Sequence, residues 1–358
     1  MLALTILAGS MSVTGAENAA SPPASPAVTS GSADLGGIWR RMAQGPFGDI
    51  GVPGGWTGSE LVVVDPEGKR RAAAYDPLGD AWREVARPPR KVWPYTPAHW
   101  TGNELVFIEA RNGTERGFIA YDPSTDSWRV TAPAPLANVS ASTVADGVIV
   151  AASGSDLSVA AYDPLTDTWT ELPAVPAEPA DAMPVGHTLV LIAIDEGVYA
   201  LSAPPGTDGT FSIARLDLSS GTWTALSTGP ISALAGIPVW TGESFVFRSY
   251  PLAPNDPGDG NARDGRYDPA ADAWTVERNA CGLDTTAAAW TGALILAVPD
   301  GLAYDPATET CYTLPAPPRA ERSRALRVWT GTELLEFSGN TGEESPAKRD
   351  GVVYRPPA

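Results

Sequence analysis

Short apolar runs alternate with turn-forming residues along most of the chain, and no stretch carries a long helical pattern. The runs are rich in β-branched and aromatic side chains, as in ELVVV (60–64), ELVFI (104–108), GFIAY (117–121), VAAY (159–162), SFVFR (244–248) and SWRVT (127–131). Such residues suit strands rather than helices. Two punctuations recur between them. In the first, an opening residue is usually followed by Asp-Pro, and an indole arrives seven positions on. Tyr75 leads to Trp82, Tyr121 to Trp128, Tyr162 to Trp169, Leu216 to Trp223 and Tyr267 to Trp274, while Tyr304 leads to Cys311. In the second, Trp-Thr-Gly stands at 56–58, 100–102, 240–242, 290–292 and 329–331, with degenerate copies at 145–147 and 184–186.

Both punctuations encode hairpins. In DPLGD, DPSTD, DPLTD and DPAAD, proline presets the φ of a turn's second position. The aspartate before it accepts a bond from the backbone two residues on. After Trp-Thr, glycine is free to take positive φ. Each unit therefore parses as four strands, with a period of roughly 40–50 residues, the range of propeller blades. Seven units can be traced, the last opening at Tyr354. That unit ends before its fourth strand, and the N-terminal WRRMAQGP (39–46) parallels WREVARPP (82–89). The expected fold is an all-β, seven-bladed propeller of four-stranded blades, closed by an N-terminal outer strand in the last blade.

Composition agrees with that pattern and narrows the partners. A chain of 358 residues exceeds the usual single core, a limit that repeat architectures escape. The formal charge of −18 opposes binding to a phosphate backbone, so nucleic acid is not expected as a partner. LALTILA (2–8) is too short to span a bilayer, and no integral membrane span is expected. With the small residues Thr14-Gly15-Ala16 it reads as an export signal that lacks a basic start. Residues 1–16 are thus a signal segment, 17–35 a linker and 36–358 the propeller. A monomer that is secreted or held in the cell envelope is the expectation. Cys281 and Cys311 are either a disulfide or two buried thiols.

The YDPxTDxW segment with its preceding hairpin resembles the Kelch repeat of the galactose-oxidase-like propellers, over about residues 36–358. The chain departs from that pattern where paired glycines usually end the second strand: VVVDPEG, VFIEARNG and VFRSY stand there instead. The resemblance raises a radical copper site, which needs two histidine ligands and a Cys–Tyr cross-link near the axis. Only His99 and His187 exist, both expected at hairpin tips, and Cys311 holds an outer-strand position. No metal and no cofactor is expected.

Candidate binding residues come from the variable segments between blades. Against the acidic background, Arg87, Arg90 and Lys91 flank Trp93 and Tyr95, and Arg319, Arg322, Arg324 and Arg327 crowd a second connection. Arg90, Lys91, Trp93, Tyr95, Arg322 and Arg324 are the candidate ligand-binding set, with Asp49, Asn138, Asp181 and Asp284 as further residues at the channel mouth. Arginine beside aromatic residues suits carboxylate or glycan recognition. NDPGDGNARD (255–264) lacks the ordered ligand series of a calcium loop. No nucleophile elbow, phosphate loop or zinc-protease motif occurs. The expected function is a non-catalytic extracellular module for a protein or glycan. The alternatives are a lyase or sugar-acid epimerase working at the channel mouth, and a structural envelope protein.

Overall fold

The computed structural model describes residues 33–65, 69–96, 98–110, 117–176, 188–194, 197–203, 212–229, 238–249, 263–278, 281, 283, 288–320, 322–341 and 348–357. The 1–16 signal segment and His187, Asp181, Asp284 and the 255–262 stretch lie outside them. Seven four-stranded antiparallel sheets form a propeller, each blade running in order from an inner to an outer strand. Blade 1 is Gly54–Trp56, Leu61–Val64, Ala72–Asp76 and Ala81–Val85. Blades 2 to 6 repeat this arrangement from His99–Trp100 to Thr310–Thr313. Blade 7 takes Leu326–Trp329, Leu334–Phe337 and Gly351–Arg355 from the C-terminal end and Ile38–Met42 from the N-terminal end.

The seven-residue spacing is a register. Tyr75 faces Trp82, Tyr121 faces Trp128, Tyr162 faces Trp169 and Tyr267 faces Trp274 across the third and fourth strands. Leu216 faces Trp223, Tyr304 faces Cys311 and Tyr354 faces Trp39 in the same way. Tyr75, Tyr121, Tyr162, Tyr267 and Tyr354 are fully buried, whereas Tyr304 and the indoles are half-buried, the indoles reaching toward the preceding blade. Trp82 Nε1 donates to the carbonyl of Ala43, Trp128 to Ala86, Trp169 to Ala132, Trp223 to Pro173, Trp274 to Ser227 and Trp39 to Pro315. Each acceptor lies one or two residues beyond the fourth strand of the neighbouring blade.

A second bond strengthens four of these contacts. Asp80, Asp126, Asp167 and Asp272 sit at positive φ, two residues before their tryptophan. There each carboxylate accepts from the buried tyrosine hydroxyl of its own blade, at 2.6–2.9 Å. It also accepts the backbone N–H of Ala43, Ala86, Ala132 or Ser227. Burial, then the bond to Asp126, raises the Tyr121 hydroxyl to about 12. In blade 7 the same turn position belongs to Gly37, at φ 90, where a Cβ would stand 2.7 Å from the Tyr354 hydroxyl.

Two elements differ from the sequence expectation. The degenerate hairpin expected at 184–186 lies outside the described residues, but the strands that follow it are placed otherwise than expected. Blade 4 opens with Thr188–Ile194 and returns along Gly197–Ala203, paired from Thr188↔Ala203 to Ile194↔Gly197, so its first strand lies after the segment where the hairpin was expected. Ala33–Asp34, assigned to the linker by sequence, pairs in parallel with Tyr312–Thr313 and adds a fifth strand to blade 6.

A chain starting at residue 44 lacks the strand that carries Trp39 and Arg40, and blade 7 becomes open-edged. It is expected to melt well below a chain starting at residue 33; equal transitions in calorimetry would rule out closure by this strand. Tyr162→Phe removes a hydroxyl that donates to Asp167 at 2.6 Å and accepts from Arg129 at 2.9 Å. A loss of about 1–3 kcal/mol is expected in urea unfolding.

Candidate functional site

The propeller has two unlike ends. One carries the turns between strands one and two and between strands three and four, and its chemistry is spent on holding blades together. Thr57, Thr101 and Thr330 close their hairpins by accepting from, and donating to, the residue three positions on. Arg40, Arg83 and Arg129, each just after a tryptophan, pair with Glu333, Glu60 and Glu104 of their own blade. Arg40 and Arg129 also donate to the buried tyrosine of the next blade, Tyr75 or Tyr162. Between blades 3 and 4 these partners are missing: Thr170 replaces the arginine, Leu216 the tyrosine and Gly221 the aspartate. A cavity of about 300 Å³ opens there, lined by Val144, Asp146, Ile194, Asp217 and Ser219 among others.

The other end carries the loops between strands two and three and the connections between blades. Three successive connections are tied there by backbone bonds. Gly51 N–H donates to the Arg324 carbonyl at 3.2 Å, and Tyr95 N–H donates to the Gly51 carbonyl at 2.9 Å. Tyr95 and Arg324 both hold positive φ, 63° and 55°. Such a conformation is strained for a bulky side chain and marks a position that its surroundings over-determine. The Tyr95 ring lies on Gly51, where an added Cβ would be 2.2 Å from a ring carbon. Gly51 therefore has to be glycine, both for that approach and for its own φ of 67°. Tyr95 remains 58% exposed. Arg324 is exposed as well.

The remaining candidates are placed differently. Arg322 does not face the mouth. It is buried, and its Nη2 donates to both carboxylate oxygens of Asp350 at 3.1 Å. Arg90 lies 3.5 Å from Glu109, a buried carboxylate. Trp93 packs on the core cluster of blades 2 and 3, with Phe118, Leu136 and Val139. Lys91 is exposed, and its carbonyl accepts from Ala110. Asn138 donates to Ser155, and Asp49 N–H donates to Ser338 Oγ. Of the candidate set, Tyr95 and Arg324 are the two that meet here, through Gly51, a residue the sequence did not single out and whose only signal is a glycine in a connection with no turn motif.

Beneath this surface, between the last connection and blade 7, lies a charged cluster. Arg319 Nη2 donates to Glu336 Oε1 at 2.5 Å, and Arg327 Nε donates to Glu336 Oε2 at 2.6 Å. Arg327 also donates to the Arg322 carbonyl. The side chains of Arg319, Arg322, Arg327 and Glu336 are 3%, 7%, 11% and 4% exposed, and Asp350 is 33% exposed. Burial holds Arg319 below the ordinary arginine range; Glu336 opposes that shift, and the like charges of Arg322 and Arg327 add to it.

His99 lies within the inner strand of blade 2 rather than at a hairpin tip, its Nε2 2.7 Å from Ser142 Oγ in the next blade. Cys281 and Cys311 form a disulfide with Cα atoms 5.6 Å apart. Among the described residues, no three His, Cys, Asp or Glu side chains converge as a metal-binding group, and no helix is long and apolar enough to cross a membrane.

No protein-family model matches the chain, and no curated protein matches it in sequence. The chain is similar to the solved structure of YjhT, with a TM-score of 0.50 and 13% identity, over 87% of this chain and 96% of that one. At that identity the likeness concerns the fold alone.

Burial holds the His99 imidazole neutral, with its pKa lowered to about 4. In the unfolded chain it titrates near 6.5. The unfolded state therefore binds more protons between these values, and stability falls as pH drops through that window. His99→Gln is expected to flatten the fall in melting temperature between pH 6.5 and 4. An unchanged profile would remove His99 as its source.

Proposed function

We propose that the chain is an exported, non-catalytic recognition module with Kelch-like repeats, and that its connection face takes a glycan. The observation that carries this reading is Tyr95: an exposed aromatic ring held at positive φ on Gly51, tied by backbone bonds to a second strained residue, Arg324. An exposed tyrosine face is a platform for the apolar side of a sugar ring, and an arginine beside it donates to hydroxyl or carboxylate oxygens. Loops on a rigid scaffold are the usual place for such work. The disulfide supports an oxidising compartment, as export implies. The opposite end supports the same choice of face, since its distinctive residues are committed to contacts between blades.

The test is a glycan array followed by calorimetric titration of each hit against the full chain. Tyr95→Ala is expected to weaken the best hit about tenfold or more without lowering the melting temperature. Arg324→Ala is expected to weaken acidic glycans more than neutral ones. No glycan bound at millimolar concentration, or equal affinity for Tyr95→Ala, would overturn the reading.

A further inference from the structure

Blade 7 breaks a rule that the other six keep. Two positions on the first and second strands face each other across each blade, two residues inside the Trp-Thr-Gly hairpin. Gly54 faces Val63, Ser142 faces Ala151 and Leu191 faces Ala200. Phe107, Phe247 and Ala297 hold the second-strand position in blades 2, 5 and 6. All six second-strand residues are buried and apolar. In blade 7 the facing pair is Arg327 and Glu336. An ion pair whose second-strand member stands where the other six blades bury an apolar side chain costs stability relative to that side chain. Its presence calls for a role other than packing.

The cluster around that pair is unbalanced. Arg319, Arg322 and Arg327 bring three positive charges, while Glu336 and Asp350 bring two negative ones. One positive charge has no counterpart among these residues. The Nε–H groups of Arg319 and Arg322 are buried and have no hydrogen-bond partner among the described residues. A buried donor without an acceptor is costly and rare. The surroundings are held firmly. Ser323 and Asn340 exchange backbone bonds at 3.0 and 3.1 Å, and Ser323 Oγ donates to Asn340 Oδ1 at 2.9 Å. The one partly open member is Asp350, which follows Lys348 and Arg349 and marks the way in.

We infer that this cluster, between the last inter-blade connection and blade 7, is a binding site for a single small oxyanion, a carboxylate or sulfate group, received by the Nε–H groups of Arg319 and Arg322. An oxyanion supplies the missing negative charge and the missing acceptors at once. Guanidinium forks match its geometry where an ammonium would not. The inference stands apart from glycan binding at Tyr95. The two sites meet only through the chain, since Arg322 faces inward and Arg324 outward on the same connection.

The test is thermal unfolding of the full chain in sodium sulfate and in sodium acetate, at ionic strength held constant with sodium chloride. Wild type is expected to gain about 2 °C for each tenfold rise in the binding anion above its dissociation constant. Sulfate alone, acetate alone, or both giving this response identifies the geometry accepted. Arg322→Met removes one fork and the excess charge, and is expected to lose the response. If that variant does not fold, wild type labelled with 15N-arginine decides. Two buried Nε–H resonances should shift saturably with the anion. No response in wild type, an equal response in Arg322→Met, or unmoved resonances would overturn the site. Glu321, outside the described residues, is the nearest further acid in sequence. A response seen in Glu321→Gln but not in wild type would mean that the chain fills its own site, and would also overturn the proposal.

Discussion

Everything in this propeller depends on one contact made at every interface between blades. The residue at the outer-strand position reaches back to the segment where the preceding blade ends. At six interfaces it is an indole N–H on a carbonyl; between blades 5 and 6 it is the Cys281–Cys311 disulfide. The exiting backbone would otherwise leave its polar groups unsatisfied at the edge of a sheet. At four interfaces one residue is satisfied twice: its carbonyl takes the indole, and its N–H goes to the aspartate that also receives the buried tyrosine hydroxyl. The spacing from tyrosine to tryptophan is therefore fixed at both ends. The two must face each other across a hairpin, and the aspartate must sit at the turn residue with positive φ. A one-residue slip would turn the indole to the other face and break all three bonds.

The ring is not uniform in how strongly it is held. Trp-Thr-Gly-x-Glu and Trp-Arg occur together in blades 1, 2 and 7 and in no other, because the glutamate and the arginine are partners. The hydrogen bond to Glu104 is the largest of the effects that raise the Arg129 pKa. Arg40 and Arg129 bridge their own blade to the next and Arg83 reaches Tyr121 in the same way, so the arc from blade 7 through blade 3 carries a second layer of contacts. Beyond it Arg266 Nη2 makes a longer contact of this kind, 3.4 Å to the Tyr304 hydroxyl between blades 5 and 6, and the cavity between blades 3 and 4 opens where arginine, tyrosine and aspartate are all replaced. The chain closes at blade 7, within the reinforced arc. That is where reinforcement matters most, since there the sheet is assembled from the two ends of the chain and no covalent hairpin joins its third strand to its fourth.

The fold was legible because its determinants are local. Asp-Pro turns, hairpin threonines and the Tyr–Trp register each follow from residue chemistry over fewer than ten positions, and Trp39 could be matched to Trp82 by neighbours alone. Blade 4 was read less well because its first hairpin lacks those determinants, and its position follows from strand pairing over seven residues. The site was legible only in composition. Arginines in two connections stood out, but sequence does not say which way a loop side chain points. Arg324 faces out and Arg322 faces in, two residues apart, and Trp93 is a core residue although it sits among the candidates.

One signal was present and comes from comparing blades rather than reading each alone. In LLEF, Glu336 interrupts a run that is apolar at the matching place in every other blade, and Arg327 faces it on the first strand, where Gly54, Ser142 and Leu191 show that no charge is required. A repeat protein supplies its own reference state: six copies show what packing alone asks of a position, so a charged exception in the seventh is measured against the same backbone. Surface charges carry no such weight, because loops vary freely. Among the described residues, those that the repeat leaves unexplained include the Arg327–Glu336 pair with the arginines around it, and the strained Tyr95 on Gly51. Both lie at the connection end of the propeller and on the arc that the Arg–Glu pairs of blades 7, 1 and 2 reinforce.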